Sequence, residues 1–145
     1  MIRIIEYENK YLEDVKDLLV ELEEYREKMA VLDLEEVKNN DGKCYIAVED
    51  EKAVGVIMGC IPKYDEYDYL DYKCPKCGQV TELVVSKKVR SHGIGQQLMD
   101  KMENYFKEKG CEYIKIDVFA YNENAIKFYE KKGYHTRMLI DIKKI

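Results

Sequence analysis

The sequence has 145 residues, 46% hydrophobic and 37% charged, which excludes a disordered chain and suffices for one domain with its own core. Its formal net charge of -5 argues against a general nucleic-acid binder, because a phosphate backbone would be repelled, and is compatible with an amine-bearing ligand. No stretch approaches the roughly 18 apolar residues of a membrane span, and the first residues are too charged for a signal peptide, so we expect a cytoplasmic protein and no membrane partner.

The first half of the chain predicts one strand, two helices and a hairpin. Apolar residues at positions 2, 4 and 7 suggest the strand, and helical spacing predicts helices over 10–27 and 34–38. Two apolar runs, 44–48 and 53–61, flank a short charged turn and predict an antiparallel hairpin. Pro62 ends its second strand, because proline cannot donate a ladder hydrogen bond.

The second half opens with an unusual insert, residues 63–79, rich in tyrosine and acid. The patterns after it predict, in order, a strand over 80–85, a glycine turn, a helix to Lys109, a strand over 113–118, a helix over 124–132 and a strand-like segment over 134–145. The element order β-α-α-β-β-β-α-β-α-β predicts an α/β (α+β) fold: a mixed, mostly antiparallel sheet of six to seven strands with helices on both faces. We expect a single domain over 1–145.

The glycine turn lies between an apolar strand and a helix, in the run Val85-Ser-Lys-Lys-Val-Arg90-Ser-His-Gly93-Ile-Gly95. A helix start presents unpaired backbone N–H groups and the positive end of the helix dipole, which suit a phosphate. The alternative is that the glycines only turn the chain, since this string alone is not specific.

Two signatures together resemble a known family. The run Arg90-x-x-Gly93-x-Gly95 resembles motif A of the GNAT N-acetyltransferase superfamily, and Asn122-x-x-Ala125-x-x-x-Tyr129 with Gly133-Tyr134 is similar to its second signature. The resemblance spans essentially the whole chain. It implies an enzyme that moves an acetyl group from acetyl-CoA to a primary amine of a small molecule, peptide or protein, by direct attack on the thioester.

The resemblance also implies which residues hold acetyl-CoA. The pyrophosphate would be wrapped by the turn, mainly through backbone N–H groups, and the pantetheine arm would lie along a strand and against the second signature. Lys87 would reach the 3′-phosphate, although a solvated loop lysine explains it equally well. The implied cofactor-binding residues are Leu83, Val84, Val85, Lys87, Arg90, Ser91, His92, Gly93, Ile94, Gly95, Gln96, Asn122, Ala125 and Phe128.

Three residues are candidates for the chemistry. The resemblance implies that Tyr129 protonates the leaving thiolate. Without the surrounding signature, a tyrosine at this helical spacing would be interpreted as an ordinary core residue. Asp117, at the end of its strand, is the first candidate for the general base and Glu82 the second. A water chain without a single base is the alternative.

The insert and its cysteines leave alternatives open. Its tyrosines and acids suit an amine acceptor by charge and cation–π contact, and equally a twisted hairpin that packs on itself or on a partner. Cys74-Pro-Lys-Cys77 resembles a zinc knuckle, but a structural zinc needs four ligands and no second Cys-x-x-Cys exists. We expect no metal, with zinc at Cys74 and Cys77 as the minor alternative, and no disulfide framework.

Two wider expectations follow. The stretch after Gly133 is enough for one long strand, where the family usually has two. The alternatives are that the missing edge is left open, is covered, or is supplied by a partner chain, and the last of these would make a homodimer. The rivals to the enzyme are a non-catalytic acyl-CoA-binding sensor and a zinc-dependent interaction module.

Overall fold

The structure, a computed structural model, describes residues 1–21, 27–63, 76–89 and 92–145, with only the backbone at residues 27 and 28. Its strands are β1 Arg3–Glu6, β2 Lys43–Glu49, β3 Lys52–Cys60, β4 Cys77–Val85 and β5 Tyr113–Ile116. Its helices are α1 Leu12–Leu19, α2 Glu27–Asn39, α3 Ile94–Glu108 and α4 Glu123–Lys131. None of the described helices is long and apolar enough to cross a bilayer.

The strands form one mixed sheet in the order β1-β2-β3-β4-β5. The first three pairs are antiparallel, and β4 and β5 are parallel because the crossover through α3 returns the chain in the same direction. The predicted hairpin is β2 and β3, and its turn residues Asp50 and Glu51 both have positive φ. The prediction of a mixed, mostly antiparallel sheet is therefore confirmed.

Helices cover both faces of this sheet, as the pattern predicts. On one face, α1 and α2 pack through Val15, Leu19 and Ala30 onto Val56 and Val84. On the other, α3 buries one apolar stripe against the sheet, because its side chains recur at helical spacing. That stripe comprises Ile94, Leu98, Met99, Met102, Tyr105 and Phe106.

The structure differs from the sequence prediction in two main places. The sheet of the described chain has five strands rather than six to seven, because residues 134–145, predicted to be strand-like, form no strand. A strand needs a neighbour for its ladder, and this segment runs exposed. The second helix starts at Glu27 rather than Leu34. The predicted 10–27 helix is found as α1 over Leu12–Leu19, and residues 22–26 lie outside the described residues.

Candidate active site

The central feature is a gap between β4 and β5. Their parallel register runs only from Cys77 opposite Tyr113 to Val80 opposite Ile116. β4 continues for five more residues to Val85, still paired with β3 on its other side. The two strands therefore part at the end where β4 leads toward the glycine turn, which leaves an opening in the sheet.

A β-bulge at Thr81 decides which way Glu82 points. In the ladder with β3, Glu82 lies opposite Met58 and Val80 opposite Gly59, so Thr81 is the extra residue. Its hydroxyl donates to the carbonyl of Met58 at 3.3 Å. Because a bulge shifts the alternation by one residue, Val80 packs on the α3 face while Glu82 lies beside Met58 and Val84 on the α1/α2 face.

The glycine turn places a helix start beside the gap. Gly93 is the N-cap of α3 with φ +72°, a left-handed conformation that favours glycine. Ile94 anchors the turn at 2% exposure. A Cβ on Gly95 would lie 3.7 Å from the ring of Phe128 on α4. The first N–H groups of α3 have no carbonyl partner within the helix, which makes this end suitable for an anion.

The loop before this helix is held by its own polar groups. Ser86 N–H donates to the carbonyl of Val54 at 2.8 Å, and the Ser86 hydroxyl accepts from Lys88 N–H at 3.3 Å. His92 is exposed, and its Nδ1–H donates to the carbonyl of Val89 at 2.9 Å. Lys87 is exposed beside the turn, as is Gln96 on the first turn of α3. Arg90 and Ser91 lie outside the described residues.

Helix α4 follows β5 in the chain, and its Phe128 lies close to Gly95 of the glycine turn. Asn122 caps this helix, its Oδ1 accepting from Ala125 N–H at 3.2 Å. This structural role was not expected from the sequence, which placed the helix start at Asn124. Phe119 and Tyr121 lie just before it and stack at 5.3 Å, and both are more than half exposed. Sequence reasoning missed this aromatic pair, and only the i, i+2 spacing of the two rings hints at it.

Tyr129 lies on the inner side of α4. Its ring meets Phe128 at 5.2 Å and Tyr134 at 5.7 Å, both edge to face. Burial, and then the negative charge of Glu82, raise the pKa of Tyr129 to about 12. The charge of Glu82 acts on Tyr129 although Tyr129 packs on the α3 side and Glu82 lies on the α1/α2 side. Glu82 lies on β4 beyond Val80, the last β4 residue paired with β5.

Polar contacts hold α4 onto α3, since α4 has no fully buried residue. The hydroxyl of Tyr134 donates to Glu103 at 2.7 Å, and Lys132 pairs with Asp100 at 2.6 Å and with Glu103 at 3.4 Å. The backbone N–H of Tyr134 donates to the carbonyl of Tyr129. These contacts fix the helix end that carries Tyr129.

The two candidate bases have different surroundings. Asp117 is exposed just beyond the end of β5. Glu82 is half-buried, and burial together with the charge and hydrogen bond of the Asp33 carboxyl raises the pKa of Glu82 to about 7. The sequence analysis missed Asp33, although an acid between the apolar Ala30 and Val37 of one helix stripe was a readable signal.

The remaining candidates lie elsewhere or outside the described residues. His135 is exposed after α4. Cys77 is buried at the start of β4, while Cys74 and the tyrosine-rich run 64–72 lie outside the described residues. Over residues 1–21, 27–63, 76–89 and 92–145, no group of three His, Cys, Asp or Glu side chains converges as a metal site would require.

Comparison with known proteins identifies the architecture. A family model described as the Acetyltransferase (GNAT) family matches residues 5–134. The chain belongs to the GNAT acetyltransferase family. The resemblance found in the sequence is confirmed, since both signatures lie inside the matched range.

Relatives within the GNAT family are similar over part of their length. An uncharacterised N-acetyltransferase of Methanocaldococcus jannaschii is 34% identical over 97 residues, which are 66% of this chain and 54% of that protein. The human N-alpha-acetyltransferase 30 is 31% identical over 91 residues, 63% of this chain and 23% of its own length. The matched region thus spans about half or less of these two proteins.

Solved GNAT structures share the fold. An aminoglycoside N-acetyltransferase in complex with CoA aligns with a TM-score of 0.80 at 21% identity, over 99% of this chain and 95% of that one. A GNAT-family acetyltransferase from Staphylococcus aureus aligns with a TM-score of 0.73 at 22% identity, over 92% and 84%. At such identities the likeness concerns the fold alone.

Proposed function

We propose that the protein is an acetyl-CoA-dependent N-acetyltransferase that acetylates a primary amine. The observation that carries this proposal is the opening between β4 and β5 beside the glycine-started helix α3, with Glu82 on the unpaired part of β4 and its charge acting on Tyr129. A proton acceptor and a proton donor at one opening match the two proton transfers that amine acetylation requires.

The glycine turn and the two strand ends would hold acetyl-CoA, which supplies the activated acetyl thioester. The N–H groups at residues 92–96, with Arg90 and Ser91 before them, would bind the pyrophosphate, and Lys87 would bind the 3′-phosphate. Leu83, Val84 and Val85 would offer backbone to the pantetheine arm, as an added strand does. Asn122, Ala125 and Phe128 would line its other side. The opening beside residues 81–85 fits such an extended arm.

Glu82 would act as the general base, in preference to Asp117. A base works best when its pKa lies near the working pH, and the pKa of Glu82, raised to about 7 by burial and by Asp33, meets that condition. Glu82 would take a proton from the amine, whose nitrogen then forms the bond to the acetyl carbon as the carbon–sulfur bond breaks. Asp117 is exposed beyond β5 and has no described contact with Tyr129.

Tyr129 would donate its hydroxyl proton to the departing thiolate. With a pKa raised to about 12 by burial and by Glu82, Tyr129 is protonated at neutral pH and so able to donate. Once Glu82 has accepted a proton it is neutral, and its charge no longer raises the pKa of Tyr129. Proton uptake by Glu82 therefore makes Tyr129 a stronger acid at the step that needs it.

The acceptor would be a primary amine of a small molecule, peptide or protein. The similarity to proteins named N-alpha-acetyltransferase 30 favours peptide N-termini as the first class to assay. The shared fold of the aminoglycoside N-acetyltransferase makes small amines the second class.

The test is thiol release from acetyl-CoA with panels of peptides and small amines. Tyr129→Phe should lower kcat about 100-fold, because the thiolate loses its proton donor, and leave the Kd of acetyl-CoA unchanged. Tyr113→Phe is the matched control, since Tyr113 is an exposed tyrosine at the far end of β5.

Two outcomes would contradict the proposal. Acetyl-CoA binding without transfer to any amine would identify a non-catalytic acyl-CoA-binding protein. An unchanged kcat in Tyr129→Phe would remove Tyr129 as the acid.

We also propose that the protein forms a homodimer through residues 138–145. Five large apolar side chains are more than 60% exposed there: Met138, Leu139, Ile140, Ile142 and Ile145. At roughly 100 Å² each, two copies would bury about 1,000 Å², enough for a specific interface. The partner surface would be the edge strand β5 of the second copy, because an extended segment adds to a sheet edge through backbone hydrogen bonds.

A further inference from the structure

Asp33 lies on the side of α2 that faces the sheet. It follows Ala30 by three residues and precedes Val37 by four, so the three share one helix face. Ala30 is 0% and Val37 5% exposed, and Asp33 itself is half-buried. A carboxyl group on a core-facing stripe is uncommon unless it has a polar partner.

The partner of Asp33 is Glu82. Met58 and Val84, which flank Glu82 across and along the sheet, belong to the apolar cluster that contains Ala30 and Val37. Two acids on different elements therefore converge over one apolar surface, and a hydrogen bond joins their carboxyl groups. Such a bond needs one proton between the two groups, because ionised carboxylates only accept.

The other elements around Glu82 bring mainly apolar groups. β3 contributes Met58, and α1 packs on the same cluster through Leu18 and Leu19. Tyr129 of α4 is the further titratable group on which the charge of Glu82 acts. Asp33 is thus the charged group whose position bears most directly on Glu82.

We propose that Asp33 is a positioning residue for Glu82, holding its carboxyl at the opening and accepting a hydrogen bond from it once the amine proton has been transferred. The inference rests on the proposed function. In this step an N–H bond of the acceptor ammonium breaks, the proton moves to the Glu82 carboxylate, and the electron pair stays on the amine nitrogen, which attacks the thioester. The second N–H proton leaves the nitrogen after the attack and replaces the proton that Tyr129 gives to the thiolate. The protonated Glu82 then donates to the ionised Asp33, which stabilises the state that follows proton transfer.

The first test does not depend on activity. The δ-carboxyl carbon of Glu82, labelled with ¹³C and followed by NMR, should titrate with a midpoint near 7 in the wild-type protein. In Asp33→Asn the midpoint should fall by about one pH unit, because the amide lacks the negative charge that disfavours ionised Glu82 and its N–H can donate to the Glu82 carboxylate. Glu35→Gln, an exposed acid on the same helix, is the control and should leave the midpoint in place.

The second test is the pH profile of kcat/KM for thiol release from acetyl-CoA with the best amine of the panel. Its acid limb should move to lower pH by the same unit in Asp33→Asn, and kcat should fall about tenfold, because a carboxylate that binds its proton less tightly is a weaker base. Asp33→Glu should restore part of kcat and move the acid limb part of the way back, since it returns a carboxylate. If the role of Asp33 is purely structural, Asp33→Asn would lower the stability of the protein without moving the Glu82 titration midpoint or the acid limb of kcat/KM.

The outcomes separate the two proposals. An unmoved midpoint of Glu82 in Asp33→Asn overturns the role of Asp33, whatever the activity. A shifted NMR midpoint with an acid limb that persists in Glu82→Gln supports the carboxyl pair but overturns Glu82 as the base of the proposed function.

Discussion

Glu82 shows how a single backbone irregularity sets the chemistry of one residue. Regular alternation would place Glu82 on the same face as Val80, against α3. The extra residue Thr81 in the ladder moves it to the α1/α2 face, beside Asp33. There burial and a second carboxyl group keep its proton bound to near neutral pH, which an exposed strand glutamate would not do.

The raised pKa of Glu82 makes a prediction about stability. Burial and Asp33 raise this pKa from its ordinary value of 4.5 to about 7 in the folded protein. As the pH rises from 4.5 to 7, the unfolded chain loses the proton that the folded protein keeps, so the free energy of unfolding falls and stays lower above 7. Glu82→Gln removes this loss and should be more stable than the wild type by about 1–3 kcal/mol at pH 8.

Urea denaturation at pH 4.5 and pH 8 measures the effect. The two proteins should nearly agree at pH 4.5, where Glu82 is protonated in the folded protein and half protonated in the unfolded chain. Glu35→Gln keeps Glu82 and should follow the wild type at both pH values. A Gln variant that is less stable at pH 8 would mean that the Glu82 charge is compensated in the fold.

At the scale of elements, the close approach of α3 to the sheet depends on two glycines. A Cβ on Gly59 would lie 2.8 Å from the sulfur of Met102, and one on Gly78 would lie 2.5–2.7 Å from the ring of Phe106. Both helix residues are fully buried. The bare backbone at these two positions lets the helix lie flat on the strands and fixes where its first turn meets the opening.

Gly78→Ala should lower the free energy of unfolding by about 1–3 kcal/mol, because a methyl group would overlap the Phe106 ring in a packed core. Chemical denaturation measures the loss. Phe106→Leu in the same chain should recover part of it, since a smaller side chain vacates that space, so the pair should deviate from additivity by at least about 0.5 kcal/mol. Strict additivity would show that Gly78 and Phe106 do not interact as described.

At the scale of the whole molecule, the apolar surface is unevenly distributed. The core is shared between two clusters, one on each face of the sheet. Residues 138–145 instead present Ile140 at 86% and Ile142 at 94% exposure. Exposed apolar residues in one contiguous segment are characteristic of an interaction surface.

The proposed homodimer predicts the mass of the protein in solution. Sedimentation of the wild-type protein should give twice the monomer mass, and Ile140→Asp with Ile142→Asp should give the monomer, because charges would replace the buried contacts. Lys144→Asp, an exposed charge change in the same segment, should leave the dimer intact. A wild-type protein that sediments as a monomer at micromolar concentration would contradict the proposal.

Much of this architecture was readable from the sequence. Helical and alternating periodicity placed α1, α3, α4 and the β2–β3 hairpin, because burial of one face repeats with the geometry of the element itself. Gly93 and Gly110 mark the two ends of α3 in the sequence, and both have positive φ in the structure. The two signatures around Gly93 and Tyr129 were enough to indicate the family, since each is short and local.

Tertiary structure alone decided how these parts meet. The parting of β4 from β5, the bulge at Thr81 and the pairing of Asp33 with Glu82 are relations between segments far apart in the chain. Periodicity does not encode them, because a bulge reverses the alternation from which a face is read. The sequence by itself thus determined the elements and the family. The register between distant strands determined on which face of the sheet Glu82 lies.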